Sequence, residues 1–183
     1  QVAPVAINAN GDASRYAEFE VPVIADEAPD FQGPLAGVLA AMRWARIAAP
    51  SSRFVATAAC DTPFFPLDLV ARLAASVTTY PQIVQALSEG RVHPVFSLWP
   101  LAIADNLAAA LARGVRKVSA WVVEYPHLAI PFEKATADGI SFDPFFNANT
   151  PEDLSLAEKI AKALAENPSP LVSLPAAGRR REI

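Results

Sequence analysis

A chain of 183 residues, 52% hydrophobic and 19% charged, has the length and composition of a folded core rather than of a disordered segment. Its formal net charge of −4 argues against a broad nucleic-acid surface, and its single cysteine excludes an internal disulfide and suits a reducing compartment, the cytoplasm. Proline and charged residues cut every apolar run, so nothing reads as a membrane span or a cleavable leader, although residue 1 is Gln rather than Met.

Residues 2–8 (VAPVAIN) read as a short apolar strand and 21–25 (VPVIA) as a second ending at Asp26, with turn and cap residues in ANGDASRY between them. Pro34 suits a first helical position, where its missing N–H has no partner to lose, and Leu35, Val38, Leu39, Met42 and Ala45 keep one face of that helix apolar. Residues 53–60 (RFVATAAC) are apolar enough to be expected as a central strand buried on both faces, followed by a helix over 66–76 that another proline opens. Two strands, 82–87 and 92–99, lie so close across SEGR that a hairpin is implied, hence an antiparallel strand in a mixed sheet. A helix over 101–113 stops at Gly114, 115–124 fits helix or strand, and 127–132 fits a strand. Thr150 as cap and Pro151 at the first position open a last helix, with Leu154, Ala157, Ile160, Ala161 and Leu164 as its buried stripe. This order predicts an α/β sandwich over 1–166 as one domain, and sets apart a Pro-rich tail, 167–183, that ends in a basic cluster.

Polar residues recur where these strands end: Asn8 and Asn10, Asp26, Asp61, then Asn147 and Asn149 with Asp153 nearby. In a sheet of this kind the carboxyl ends of the strands open into the ligand crevice. Amides there can read a base or ribose, and a carboxylate gives a hard oxygen to Mg²⁺. Helix or loop capping explains any one of these Asp residues singly; their recurrence on successive strand ends favours a site. With only His93 and His127 present, a histidine-built metal centre is disfavoured, and His93 reads as a buried, hydrogen-bonded residue. Cys60 reads as a small core residue. Arg43, Arg46 and Arg53 read as solvated, and GPLAG is neither a Walker loop nor a dinucleotide fingerprint, though its helix N-terminus suits an anion.

VAINAN, VIAD, GPLAGVLAAM, CDTPFFP, HPVFSL and FFNANTPEDL, in this order, resemble the molybdenum cofactor guanylyltransferase family over most of residues 1–165. The resemblance implies a Rossmann-like three-layer sandwich of the nucleotide-diphospho-sugar transferase type, with a mostly parallel mixed sheet. It implies transfer of GMP from GTP to molybdopterin, releasing pyrophosphate. On that likeness Asn8 and Asp26 contact the guanine nucleotide, Asp61 binds Mg²⁺ and GTP, and Asn147 and Asn149 lie where molybdopterin reacts. GTP and molybdopterin are then the partners, with molybdoenzyme maturation proteins beyond them and neither nucleic acid nor membrane among them. Family members begin with a strand and a glycine-rich loop carrying a lysine. No such segment occurs in this sequence, and one is expected upstream of Gln1. The competing expectations are a cytidylyltransferase of the same group, a sugar-phosphate nucleotidyltransferase, and a non-catalytic nucleotide- or cofactor-binding protein without the phosphate loop.

Overall fold

The computed structural model describes residues 1–26 and 33–166. The Pro-rich tail and the 27–32 stretch before the first helix lie outside those residues. The first predicted strand shrinks to β1 (Ile7–Asn8) and the second to β2 (Val23–Ile24), paired in parallel with Asn8 opposite Ile24. Between them a 3-10 turn, Ala13–Phe19, starts at Asp12, whose carboxylate accepts the Ser14 N–H at 2.9 Å and the Ser14 hydroxyl at 2.8 Å. Those hydrogen bonds hold the Asp12 carboxyl below its ordinary pKa.

Helix α1 (Pro34–Ala48) begins on the expected proline and buries Leu35, Val38, Leu39, Met42 and Ala45, the face its spacing predicts. Next come β3 (Phe54–Thr57), α2 (Leu69–Ala75) and the hairpin of β4 (Ile83–Ser88) with β5 (Arg91–Pro100). Glu89 and Gly90 make the turn with φ of 47° and 75°, the positive pair that a two-residue hairpin turn requires. Helix α3 (Ala104–Ala112) ends as Gly114 predicts. The Gly114 N–H bonds the Leu111 carbonyl and the Val115 N–H bonds the Ala110 carbonyl, the paired closure of a left-handed glycine stop. The ambiguous stretch is helix α4 (Val118–Val122), which buries Val118, Trp121 and Val122 one turn apart. Strand β6 (His127–Pro131) matches its expectation. The small hairpin of β7 (Ala135–Ala137) and β8 (Ile140–Phe142), turning on Asp138-Gly139, precedes α5 (Pro151–Glu166).

Four strands join in the order β3-β5-β4-β6, with β5 antiparallel to both neighbours and β4 parallel to β6. The sheet is mixed, as expected. Among the described residues the parallel pairs are not the majority, since β1–β2 and β4–β6 are parallel while β3–β5, β4–β5 and β7–β8 are antiparallel. Alternation along β4 and β5 sends Ile83 and Trp99 towards α1, α3 and α4, and sends Val84, Ala86, Phe96 and Leu98 towards α2. The result is three layers. A further cluster packs Ala157, Ile160, Ala163 and Leu164 of α5 on Phe64, Ala135, Ala137 and Phe142.

The 53–60 stretch needs correction. It is a strand only over Phe54–Thr57, is half-buried, and among the described residues pairs with β5 alone, at the edge of the four-stranded sheet. Its apolar run has the predicted cause, because Val55 faces the α1 layer while Phe54 and Ala56 face α2. It stops at Thr57 because β5 shifts register there, where Gln85 opposes Ser97 but Ala86 opposes His93, around a Pro94 that has no N–H to give. In α5, Leu154 departs from the predicted buried stripe and is 55% exposed, and every α5 residue in the cluster lies from Ala157 onward, so the helix is anchored by its later turns.

Candidate active site

Two polar clusters form at the ends of β1, β2 and β3. In the first, parallel pairing sets Asn8 beside Ile24, and Asn8 Nδ2 donates to the Ile24 carbonyl at 3.2 Å and to Asp26 Oδ1 at 3.1 Å. Asn10 Nδ2 donates to Asp26 Oδ2 at 3.0 Å, while the Asp26 N–H returns a 2.9 Å bond to Asn10 Oδ1. The Asp26 carboxylate is thus aimed by two amides, with lone pairs left on each oxygen for a donor from a ligand. Gly37, one turn into α1, closes the cluster: a β-carbon there would stand 2.4 Å from Asn8 Oδ1. The sequence reading missed Gly37. Its signal was a glycine inside a helix, which costs about 1 kcal/mol against alanine unless something must approach closely.

The second cluster joins the CDTP loop to the approach of α5. Asn147 Nδ2 donates to Asp61 Oδ2 at 2.9 Å, and the Ala148 N–H donates to the Asp61 backbone carbonyl at 2.9 Å. The buried Thr62 hydroxyl lies 3.3 Å from Asn147 Oδ1 and 3.4 Å from Asp61 Oδ1. Asp61 itself is exposed, and α2 starts eight positions later, so its carboxylate caps no helix. Cys60 was expected in the core; it is exposed, because the strand has already ended at Thr57. Asn149 takes a different part from Asn147. Its backbone N–H and that of Thr150 donate to Asp153 Oδ2 at 3.2 and 3.0 Å, and the Asp153 N–H donates to Thr150 Oγ1 at 3.1 Å. This reciprocal cap lowers the Asp153 pKa, chiefly through the Thr150 hydroxyl.

Both clusters follow strands on which α1 packs, since that helix contacts β1, β2 and β3. β1 and β2 pair with each other while β3 belongs to the four-stranded sheet, so it is α1, lying against all three strands, that ties the two clusters into one fold.

His93 is buried and hydrogen-bonded, as its sequence context predicts. Its Nε2 lies 2.7 Å from Ser88 Oγ, which lies 2.7 and 2.8 Å from the two oxygens of Asp143. Burial pushes the His93 pKa down, with Asp143 pulling it up and Arg91 adding to the fall. Ser88 and Asp143 carried no signal in the sequence that set them apart from ordinary strand-end residues.

A family model described as MobA-like NTP transferase domain matches residues 1–127. A molybdenum cofactor guanylyltransferase of Rhodopseudomonas palustris (strain BisB5) is 45% identical over 159 residues, covering 86% of this chain and 73% of that protein. One from Mesorhizobium japonicum is 43% identical over 166 residues, covering 90% and 78%. The chain belongs to the molybdenum cofactor guanylyltransferase family. The family's fold is matched by the solved molybdopterin-guanine dinucleotide biosynthesis protein A of Archaeoglobus fulgidus, with a TM-score of 0.61 at 22% identity over 86% of this chain and 78% of that one. A solved protein of Aquifex aeolicus has the same TM-score at 15% identity, over 79% and 70%. The family matches therefore support the resemblance read from GPLAG, CDTP and NANTPEDL. Among the described residues no helix is long and apolar enough to cross a membrane.

Proposed function

We propose that the chain transfers GMP from GTP to the terminal phosphate of molybdopterin, with Asp61 at the reacting phosphates, Asn8 and Asp26 on the guanine nucleotide, and Asn147 and Asn149 on the acceptor side. The contact that carries this reading is the Asn147–Asp61 hydrogen bond of 2.9 Å, which joins two of the motifs behind the family resemblance, CDTP and NANTPEDL, in one cluster. An oxygen of the acceptor phosphate forms a bond to the α-phosphorus of GTP as the bond from that phosphorus to the bridging oxygen breaks. The electron pair leaves with pyrophosphate. Such a transfer asks little covalent chemistry of a protein and much alignment of anionic groups.

Mg²⁺ fits the donors present. Among the described residues no group of three or more His, Cys, Asp or Glu is placed to hold a metal, so there is no all-protein cage. Mg²⁺ commonly takes one or two carboxylates plus waters and substrate phosphates, and Asp61, an exposed carboxylate oriented by Asn147, suits that role. When bound there, the ion would supply charge neutralisation at the phosphates. Asp61 would hold it; Asn147 would orient Asp61 and face the acceptor.

Asp26 supports the guanine reading. A carboxylate is acceptor-only, and guanine offers N1–H and the 2-amino group side by side, whereas cytosine presents only its 4-amino donor on the same edge. On this reading the enzyme works in the cytoplasm and hands its product to molybdoenzyme maturation proteins. Calorimetry with GTP, CTP and ATP in the presence of Mg²⁺ tests it: GTP is expected to bind at least about tenfold tighter than either, a gap of about 1.4 kcal/mol. A CTP preference would move the chain to the cytidylyl branch, and binding without turnover would leave a nucleotide-binding module.

A further inference from the structure

We infer that Ser88, tied to Asp143 and His93, is a positioning residue for Asn147. Ser88 closes β4 and is only 3% exposed, while Asp143 directly follows β8. A carboxylate accepts but does not donate, so the Ser88 O–H, 2.7 and 2.8 Å from the Asp143 oxygens, must donate to them. The His93 Nε2, 2.7 Å away, must then carry the proton and donate to Ser88 Oγ. Carboxylate, hydroxyl and imidazole stand in that order. With the hydroxyl in the middle and no free lone pair on Nε2, the group is not built to make serine a nucleophile.

What it does hold is backbone. Asp143 Oδ1 also accepts the Phe145 N–H at 2.9 Å, and the Asp143 carbonyl accepts the Phe146 N–H at 3.0 Å. The Phe145 ring stacks on His93 at 4.6 Å and meets Phe96 and Phe132 edge-on at 4.9 and 5.3 Å. The segment is therefore fixed at Asp143 and Phe145, and two residues later Asn147 and Ala148 reach Asp61. The hairpin end thus sets the path of the segment that aims Asn147. This role rests on the reading of Asn147 as an acceptor-side residue.

Ser88→Ala in the full chain tests it through two separate readouts. Hydrogen exchange at the Ala148 amide is expected to speed up at least about tenfold, with amides of β4 and β5 unchanged, because only the local latch opens. Turnover with molybdopterin is expected to fall about tenfold with the GTP KM held within about twofold, and to fall no further when Ser88→Ala is added to Asn147→Ala. Unchanged Ala148 exchange, or losses that add in the double variant, would overturn the proposal. Full acceptor kinetics in Asn147→Ala would instead sink the acceptor-side assignment, and the exchange readout would still decide whether Ser88 positions the segment. If Ser88→Ala does not fold, His93→Phe keeps a ring on Phe145, removes the Nε2 donor and is read by the same two measurements.

Discussion

Asp61 sits at the tip of a loop, its carboxylate in water, with Oδ2 taken by Asn147 and Oδ1 grazed by Thr62. An exposed carboxylate of this kind contributes little to the fold, so its removal separates chemistry from stability. Asp61→Ala is expected to lower kcat by about 10²-fold or more, with a thermal midpoint close to that of the parent; kinetics and a melting curve on the same preparation check both halves. Gly37 makes the opposite case. Gly37→Ala gives α1 a better helix former, yet its methyl meets Asn8 Oδ1 at 2.4 Å, so Asn8 must leave Asp26. The expected result is a rise in the GTP KM of about tenfold, equal to about 1.4 kcal/mol, with pterin KM unchanged. At this scale the sequence exposed the polar residues, since Asn8, Asp26, Asp61 and Asn147 each break an apolar stretch. It hid Gly37 and Ser88, whose roles depend on what folds against them, and it misplaced Cys60 because the turn of β5 that ends β3 is invisible from β3's own residues.

Elements with their own punctuation were readable: Pro34, Gly114 and the Thr150-Pro151 pair mark α1, α3 and α5 where the structure begins or ends them. The β7–β8 hairpin carried an Asp-Gly turn that could have been found by its demand for positive φ at both positions, here 46° and 75°. The two-residue strands β1 and β2 were over-read, since apolar composition alone does not say how many residues find a partner. The cap of α5 gives a pH-dependent prediction. Asp153 has a lowered folded pKa, so the unfolded chain takes up its proton first as pH falls; the cap's contribution is complete above about 3.9 and is lost as pH drops through the lower folded value. Amide exchange in the first turn of α5 should therefore accelerate below that range. Thr150→Ala, which removes the hydroxyl that bonds the Asp153 N–H, should cost about 1 kcal/mol at neutral pH, measurable by urea denaturation.

Across the whole molecule, the burial is unequal. The layer of α1, α3 and α4 over β4 and β5 encloses Met42, Trp99, Leu107 and Trp121 completely, whereas α5 is anchored through a smaller cluster on a three-residue-strand hairpin. Leu107→Ala is expected to destabilise the fold by about 3 kcal/mol, read as a lower denaturation midpoint for every probe. Ile160→Ala should loosen α5 and the loop before it ahead of the sheet, which hydrogen exchange resolves as early opening of α5 with protection retained in β4. That difference matters for the candidate site, because one half of it hangs from the sheet layer and the other from the approach to α5. The layered architecture followed from the apolar strands and the helix faces; the pairing order did not, because antiparallel insertion of β5 between β3 and β4 depends on strand contacts that no single segment encodes.

The bond between Asn147 and Asp61 spans 86 positions of chain. Because ribosomes deliver residues in order, the cradle built from Asn8, Asp26 and Gly37 can be in place while Asn147 is still unmade. On the proposed roles, the residues that meet the nucleotide are therefore made well before the one that faces the acceptor. Competence for transfer, on those same roles, waits until α5 has been made and the loop preceding it has settled onto Asp61.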